Sequence, residues 1–240
     1  MIILAFDSTA KVATAAICDG QHLLSLYTID NGLTQSELLL PMAEDMLKSL
    51  KLTFDNIELL ACSVGPGSFT GVRIGTALVK GLAFSKNIPC VAVSTLEALA
   101  ENLCSVSGYI VPCMDARRSQ VYTAIFKSTP EGITRLCEDK AMSLSELADE
   151  LKALGASDIY ITGDGYEVAT KALTDFGVSL QPTPYLLRNE NAYSCAKVAL
   201  AKYNRGEYTT DEKFAPTYLR MPQAERERLE KQNTANHSSD

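Results

Sequence analysis

Residues 109–126 read YIVPCMDARRSQVYTAIF, and residues 2–17 read IILAFDSTAKVATAAI. Each is an apolar run closed by an aspartate, Asp115 or Asp7, then a polar turn, then a second apolar run: VYTAIF from Val121 or VATAAI from Val12. The valines match position by position, and the offset between the copies changes by one residue, which a turn absorbs. Self-similarity at this distance is an internal duplication of a whole supersecondary unit rather than a short-period repeat. Outward from the first copy, Asp19-Gly20 between apolar runs is a hairpin signal leading into HLLSLYTI. Thr34 and Glu37 have capping-box spacing for a helix to about Lys51, in which Pro41 removes one backbone hydrogen bond. IELLACSV is a buried strand, FTGVRIGTALVKGLAFS a helix and IPCVAVS a strand. Ser94 and Glu97 cap a helix through Asn102. After the second copy come a strand near GITRLCED, a capped helix over 143–154, a strand DIYITGDG, a helix over 166–176 and a helix NAYSCAKVALAKYN.

Three antiparallel strands followed by helices alternating with parallel strands, twice over, predict an α/β fold. It is expected to have two ribonuclease-H-like halves with mixed sheets flanked by helices, the arrangement of actin, sugar kinases and Hsp70. The expected divisions are 1–105 and 106–220, hinged near 103–108, with a polar, disordered tail over 221–240. In that group a nucleotide sits between the halves on the two aspartate-bearing turns. The corresponding candidates here are Asp7, Ser8, Thr9, Asp115, Gly163 and Gly165.

Composition narrows the chemistry. With 240 residues, 46% of them hydrophobic and 21% charged, the chain can bury a substantial core. Its apolar stretches fall short of the ~20 residues that span a bilayer, and MIILAFDST lacks the basic start and cleavage site of a signal peptide. A cytoplasmic location without membrane association is therefore expected. The 7 cysteines are scattered without a C-x-x-C pair, and Cys18, Cys62, Cys90 and Cys113 read as small buried hydrophobes. His22 and His237 have no neighbour at ligand spacing, so no metal site is expected. A net charge of −7 disfavours direct RNA binding, which needs a concentrated basic surface. Arg117 and Arg118 read as solvated turn residues, and Tyr193, Tyr203, Tyr208 and Tyr218, without a basic groove, as core or rim.

SVGPGSFTGVRIG, residues 63–75, invites a phosphate-loop reading and fails it. A Walker loop needs Gly-Lys-Ser/Thr after four intervening residues, and Thr70 occupies the third glycine of the dinucleotide pattern. Gly65-Pro66-Gly67 reads instead as a strand-to-helix turn with Ser68 or Thr70 as N-cap. Gly71 and Gly75 need another reason, because an interior helical glycine costs about 1 kcal/mol. Gly71, Ile74, Gly75, Leu78 and Leu82 lie on one side of this helix, and Val72, Thr76, Val79 and Ala83 on another. The preceding helix has a stripe of Leu39, Met42, Ala43, Met46 and Leu50, with Leu38, Leu40 and Leu47 outside it. Such helices are either core or shared with a partner. The candidate partner residues are Leu39, Met42, Ala43, Met46, Gly71, Val72, Gly75, Thr76 and Val79.

GPGSFTGVRIG, with SELLLP before it and GLAFSKNIPCVAVSTLEALA, MDARRSQVY, ITGDGY and APTYLR after it, closely resembles the bacterial TsaB family across about residues 1–220. The resemblance implies a subunit of the machinery that makes N6-threonylcarbamoyladenosine in tRNA. It implies a TsaD-type catalytic partner and a TsaE-type ATPase, with metal and ATP used by those partners, and homodimerisation when the chain is alone. Contact with tRNA would come only through the complex. TsaD-type proteins carry metal-binding histidines in an H-x-x-x-H arrangement where this chain has Thr95 and Leu99, and a leucine cannot coordinate a metal. The expectation is a non-catalytic scaffold and activator with no catalytic residue and no required cofactor, and only weak or vestigial adenine nucleotide binding. The first turn, DSTAKVA, lacks the glycine that lets backbone amides close on phosphate. Gln35 stands where many relatives have histidine. The alternatives are a self-sufficient ATP-dependent kinase or hydrolase of the same superfamily and, further off, a metallopeptidase.

Overall fold

The computed structural model describes residues 1–220 except Leu33 and Arg118; the expected tail over 221–240 lies outside the described residues, as does the expectation for Arg118. The first copy forms β1 (Ile2–Asp7), β2 (Ala13–Asp19) and β3 (His22–Ile29), followed by α1 (Gln35–Ser49), β4 (Leu59–Ser63), α2 (Phe69–Phe84), β5 (Cys90–Val93) and α3 (Thr95–Glu101). Its sheet has the order β3-β2-β1-β4-β5, antiparallel through β1 and parallel beyond it. β4 is buried throughout and β1 from Ile3 onward, so both read as continuous apolar runs rather than alternating ones. α1 runs unbroken through Pro41.

The second copy forms β6 (Gly108–Asp115), β7 (Gln120–Thr123), β8 (Phe126–Thr129), β9 (Gly132–Arg135) and β10 (Lys140–Ser143), then α4 (Leu144–Ala153), β11 (Ile159–Thr162), α5 (Tyr166–Asp175), β12 (Leu180–Gln181) and α6 (Ala192–Asn204). β7 and β8 pair with β6 in one continuous antiparallel register, Asp115↔Val121 to Cys113↔Thr123 and then Ile110↔Phe126 to Gly108↔Ser128. They are a single strand interrupted at Ala124 and Ile125. β9 lies outside β8 and β10 outside β7, so the strand order repeats that of the first sheet. One detail of the expected repeat is corrected by the hairpin registers. Asp7 faces Thr14 and Asp115 faces Val121, so Val121 is equivalent to Thr14 rather than Val12. Turns accept insertions that strands do not, and the register rather than the resemblance of letters fixes the match.

Four apolar clusters order the layers. α1 and α2 cover one face of the first sheet, where Leu39, Met42, Met46 and Val79 are buried with Phe6 and Leu60. The other face, built on Ile3, Ala5, Leu59 and Val91, is covered by α6 through Ala192, Cys195, Ala196 and Ala199. α4 and α5 cover the outer face of the second sheet, and α3 supplies Leu96 and Leu99, and the turn after it Leu103, to its inner face. Each half's last helix therefore serves the other half's sheet, and packing crosses the boundary expected at 105–106. The segment after α6 also returns to the first half. Thr209 exchanges backbone hydrogen bonds with Cys90 (2.9 Å each), Phe214 is buried beside α2, and Thr217 N–H donates to Val64 O at 2.8 Å. The segment ends with Arg220, whose Nη2 donates to Gln120 Oε1 at 2.5 Å, joining it to the second half.

Candidate functional site

Two features could carry function: the cleft between the halves and the outer face of α1 and α2. The cleft is a cavity of about 520 Å³ lined by Thr9–Lys11, Pro66–Thr70, Met114–Arg117, Asp164 and Thr217–Arg220. Of the expected nucleotide residues, Thr9 and Asp115 line it, whereas Asp7, Ser8, Gly163 and Gly165 do not.

The first turn is closed against the glycine loop. Asp7, Ser8 and Thr9 have no exposed surface. Asp7 Oδ1 accepts from Thr9 N–H (2.9 Å) and Thr9 Oγ1 (2.7 Å), Ser8 Oγ donates to Gly71 O (2.9 Å), and Ser68 N–H donates to Thr9 O (2.6 Å). A Cβ on Gly71 would run into the carbonyl oxygen of Ser8, and one on Gly75 would sit 2.7 Å from Ser8 Oγ and 2.8 Å from Cys62 Sγ. These glycines let the helix backbone touch the turn, where a phosphate would otherwise have to enter. At the candidate glycines after β11 the amides are also engaged, Gly163 N–H with Arg188 O (2.6 Å) and Gly165 N–H with Cys113 O (2.9 Å). The second turn is more open. Asp115 is exposed, its N–H donates to Asp164 Oδ1 (2.9 Å) and its Oδ1 accepts from Arg117 N–H (2.7 Å). Partial desolvation in the cleft wall raises the pKa of Asp164, as does the charge of Asp115, while the hydrogen bond from Asp115 N–H and the Lys11 cation oppose them.

The expected partner residues are placed differently from expectation. Leu39, Met42, Ala43 and Met46 of α1 and Gly71, Val72, Gly75, Thr76 and Val79 of α2 are all buried in the chain's own interior. The reason is the first sheet, which needs an apolar cover on this face; burying each large aliphatic side chain there contributes about 1.5–3 kcal/mol. What remains is a second apolar set: Leu40 (41% exposed) and Pro41 on α1 and Ala77, Gly81 and Phe84 (76% exposed) on α2 are exposed, while Leu38, Ile74, Leu78 and Leu82 are half-buried and pack against the same core. A Cβ on Gly81 would meet nothing within 4 Å. The helical wheel contained this set, but which stripe faces the sheet is a tertiary fact. At its edge, the Arg73 guanidinium lies 3.7 Å from the centre of the Phe69 ring, and its Nε donates to the Tyr218 hydroxyl at 2.8 Å. Both rings also line the cleft.

The positions expected to replace metal ligands are interior ones. Thr95 and Leu99 are buried, and Ser94 Oγ caps α3 by accepting from Glu97 N–H (3.3 Å) while donating to Asp139 (2.5 Å). No group of three or more His, Cys, Asp or Glu side chains placed to hold a metal occurs among the described residues.

The duplicated sheet order with interleaved helices, and a cleft between the halves at the two aspartate turns, are the two-half α/β architecture expected from the sequence, the arrangement of actin, sugar kinases and Hsp70. Comparison with known proteins narrows this. The family model described as TsaD, tRNA N6-adenosine threonylcarbamoyltransferase, matches residues 34–228. The tRNA threonylcarbamoyladenosine biosynthesis protein TsaB of Escherichia coli is 29% identical over 92% of this chain and 95% of its own length. That of Bacillus subtilis is 33% identical over 63% of this chain and 66% of its own. A solved Pseudomonas aeruginosa protein, described as having similarity to peptidase YeaZ, superposes with a TM-score of 0.77 at 25% identity, covering 91% of this chain and 99% of that one. The chain belongs to the TsaD-type family and, within it, to the bacterial TsaB group, whose role lies in tRNA threonylcarbamoyladenosine biosynthesis.

Proposed function

We propose that this chain is a non-catalytic scaffold and activator in the formation of N6-threonylcarbamoyladenosine in tRNA, docking a TsaD-type catalytic subunit on the outer face of α1 and α2. The observation that carries this reading is the second apolar stripe of those helices: Leu40, Pro41, Ala77 and Phe84 are exposed, and Leu38, Ile74, Leu78 and Leu82, which pack against the core, remain only half-buried. Its small residues, Ala77 and Gly81, let another helix approach closely. The closed first turn and the buried, non-ligating Thr95 and Leu99 support a role without chemistry of its own. On this reading the chain works in the cytoplasm and the metal and ATP are used by its partners. A TsaE-type ATPase joins the assembly, tRNA is reached only through the complex, and the free chain homodimerises on the same face in competition with its partner.

Adenine nucleotide, where it binds this chain, contacts the Asp115 side of the cleft and binds weakly. The test is reconstitution of tRNA modification from purified components with and without this chain, using a TsaD-type subunit that retains its metal. Modification that requires the chain, and no ATP turnover by the chain alone, is the expected result. Modification at full rate without it overturns the proposal, and ATP turnover by the chain alone favours a kinase or hydrolase instead.

A further inference from the structure

Behind the cleft, two buried acids lie at the seam between the halves, Asp7 at the end of β1 and Glu190 in the connection ahead of α6, with Asp164, after β11, in the cleft wall beside them. Asp7 is wholly buried and Glu190 is 3% exposed. Among the described residues no donor reaches Asp7 Oδ2 or either carboxyl oxygen of Glu190, and no cation pairs with either side chain. The two groups face one layer. On β1 the side chains of Ile3 and Ala5 pack towards α6, and alternation along the strand sends Asp7 to the same side. The backbone around Glu190 is fastened from three directions, so its carboxyl cannot swing out to water. Asn102 Nδ2 donates to Asn189 O (2.8 Å), Thr162 Oγ1 to Leu187 O (2.7 Å) and Ala192 N–H to Thr14 Oγ1 (3.3 Å).

A carboxylate held in such a place, without donors, keeps its proton. We propose that Glu190, which faces the same layer as Asp7, keeps its proton in the folded chain, and that loss of this proton as the pH rises loosens the packing of α6 on the first sheet. The groups around them supply no positive charge. Thr9 from the turn, Ser63 and Cys62 from β4 and Cys195 from α6 surround Asp7, and Asp7 and Asp164 face Glu190. Burial first, then the charges of Asp7 and Asp164, hold the Glu190 carboxyl well above the usual range; burial also raises Asp7, against its hydrogen bonds from Thr9. An acid raised on folding makes the folded chain bind more protons than the unfolded one. Its stabilising contribution is therefore complete below the ordinary carboxyl value of about 4 and declines as pH rises towards the folded value.

The experiment is urea unfolding of the full chain at a series of pH values from about 5 to 8.5. The unfolding constant of the parent should rise with pH, and Glu190→Gln should remove from that dependence about one proton, a factor of about ten per pH unit. The variant should also be the more stable protein at the alkaline end. An unchanged pH dependence in Glu190→Gln overturns the proposal. Should that variant fail to fold, the infrared spectrum of the unsubstituted chain decides: a carboxylic acid carbonyl band at pH 7 that disappears on unfolding is expected, and its absence sinks the idea.

Discussion

α2 and α5 occupy the same place in the two halves, each joining the fourth strand of its sheet to the fifth, yet they are built differently. α5 has 10 residues, buries Ala169 and Leu173 against its sheet, half-buries Tyr166, Thr170 and Ala172, and exposes the rest, including Val168 at 57%. α2 has 16 residues, buries a whole stripe from Val72 to Ala83 and keeps a second apolar stripe half-covered. A helix serving only its own sheet needs one apolar side, and α5 shows that this architecture is met that way. The excess on α2 is then not required by the fold. The counterparts α4 and α1 repeat the contrast: α4 buries Leu144, Leu147 and Leu151, whereas α1 adds Leu38 and Leu40 beyond its buried set.

The sharpest way to break this comparison is to charge both stripes of α2 and the matching helix. Val79→Glu places an unpaired carboxylate in the core and should cost more than about 4 kcal/mol, enough to prevent folding. Val168→Glu on α5 should stay within about 0.5 kcal/mol. Urea unfolding measures both; a well-folded Val79→Glu protein would contradict the assignment of this stripe to the core. The same reasoning makes Gly75→Glu a test of folding rather than of docking. Ala77→Glu, two residues before Val79 but exposed on the outer stripe, should leave the fold intact and weaken homodimer and partner affinity at least about tenfold, roughly 1.4 kcal/mol. Sedimentation and copurification with a TsaD-type subunit report this, and unaltered association would move the docking face elsewhere.

The two aspartate turns form the second comparison. The first is clamped, with Ser8 O against Gly71, while the second opens Asp115 to the cleft. Gly71→Ala gains helix propensity of about 1 kcal/mol but drives a methyl into a backbone oxygen that cannot rotate away. Overpacking should win, with a net loss of about 1–3 kcal/mol in thermal unfolding. Asp115→Asn keeps the oxygen that accepts from Arg117 N–H, and should cost less than about 1 kcal/mol. Equal losses at the two turns would mean that the clamp is not a property of the first half.

The duplication was readable because strand cores conserve an apolar run ending in aspartate in both copies, ILAFD and VPCMD, and strand cores tolerate few insertions. The register was not readable, because Val12 and Val121 resemble each other in letters while turn length decides which residue faces the aspartate. The interruption of β7 and β8 at Ala124 and Ile125 left no signal, since both residues are apolar and buried like their neighbours. On α2 the wheel displayed two apolar sides, but choosing the inner one required the position of the sheet. The purpose of Gly71 depended on Ser8, a contact across 63 residues of sequence. The crossing of α6 to the first sheet and the acids Asp7 and Glu190 at the seam arise from tertiary packing, to which no local periodicity points.

The smallest effect distinguishes the starts of α1 and α4, whose sequences both display capping-box spacing. At α4 the box is complete: Ser143 Oγ accepts from Glu146 N–H (3.2 Å), and Ser143 N–H donates to Glu146 Oε2 (2.8 Å). At α1 the Thr34 side chain makes no cap hydrogen bond to the backbone, and its hydroxyl donates to Glu37 Oε2 at 3.0 Å instead. Ser143→Ala should therefore cost about 1 kcal/mol, whereas Thr34→Ala, with no cap bond to lose, should stay within about 0.5 kcal/mol. The backbone N–H and hydroxyl of Ser143 lower the pKa of the exposed Glu146. A carboxylate lowered on folding stabilises above its ordinary value of about 4.3, and that contribution fades as pH falls through and below it. The penalty of Ser143→Ala measured by urea unfolding should accordingly shrink between about pH 6 and pH 3, because the variant loses the hydroxyl's bond to the Glu146 carboxylate. A penalty at Ser143 that does not change with pH would mean that this hydroxyl–carboxylate bond contributes nothing and that the cap acts through the Glu146 N–H alone.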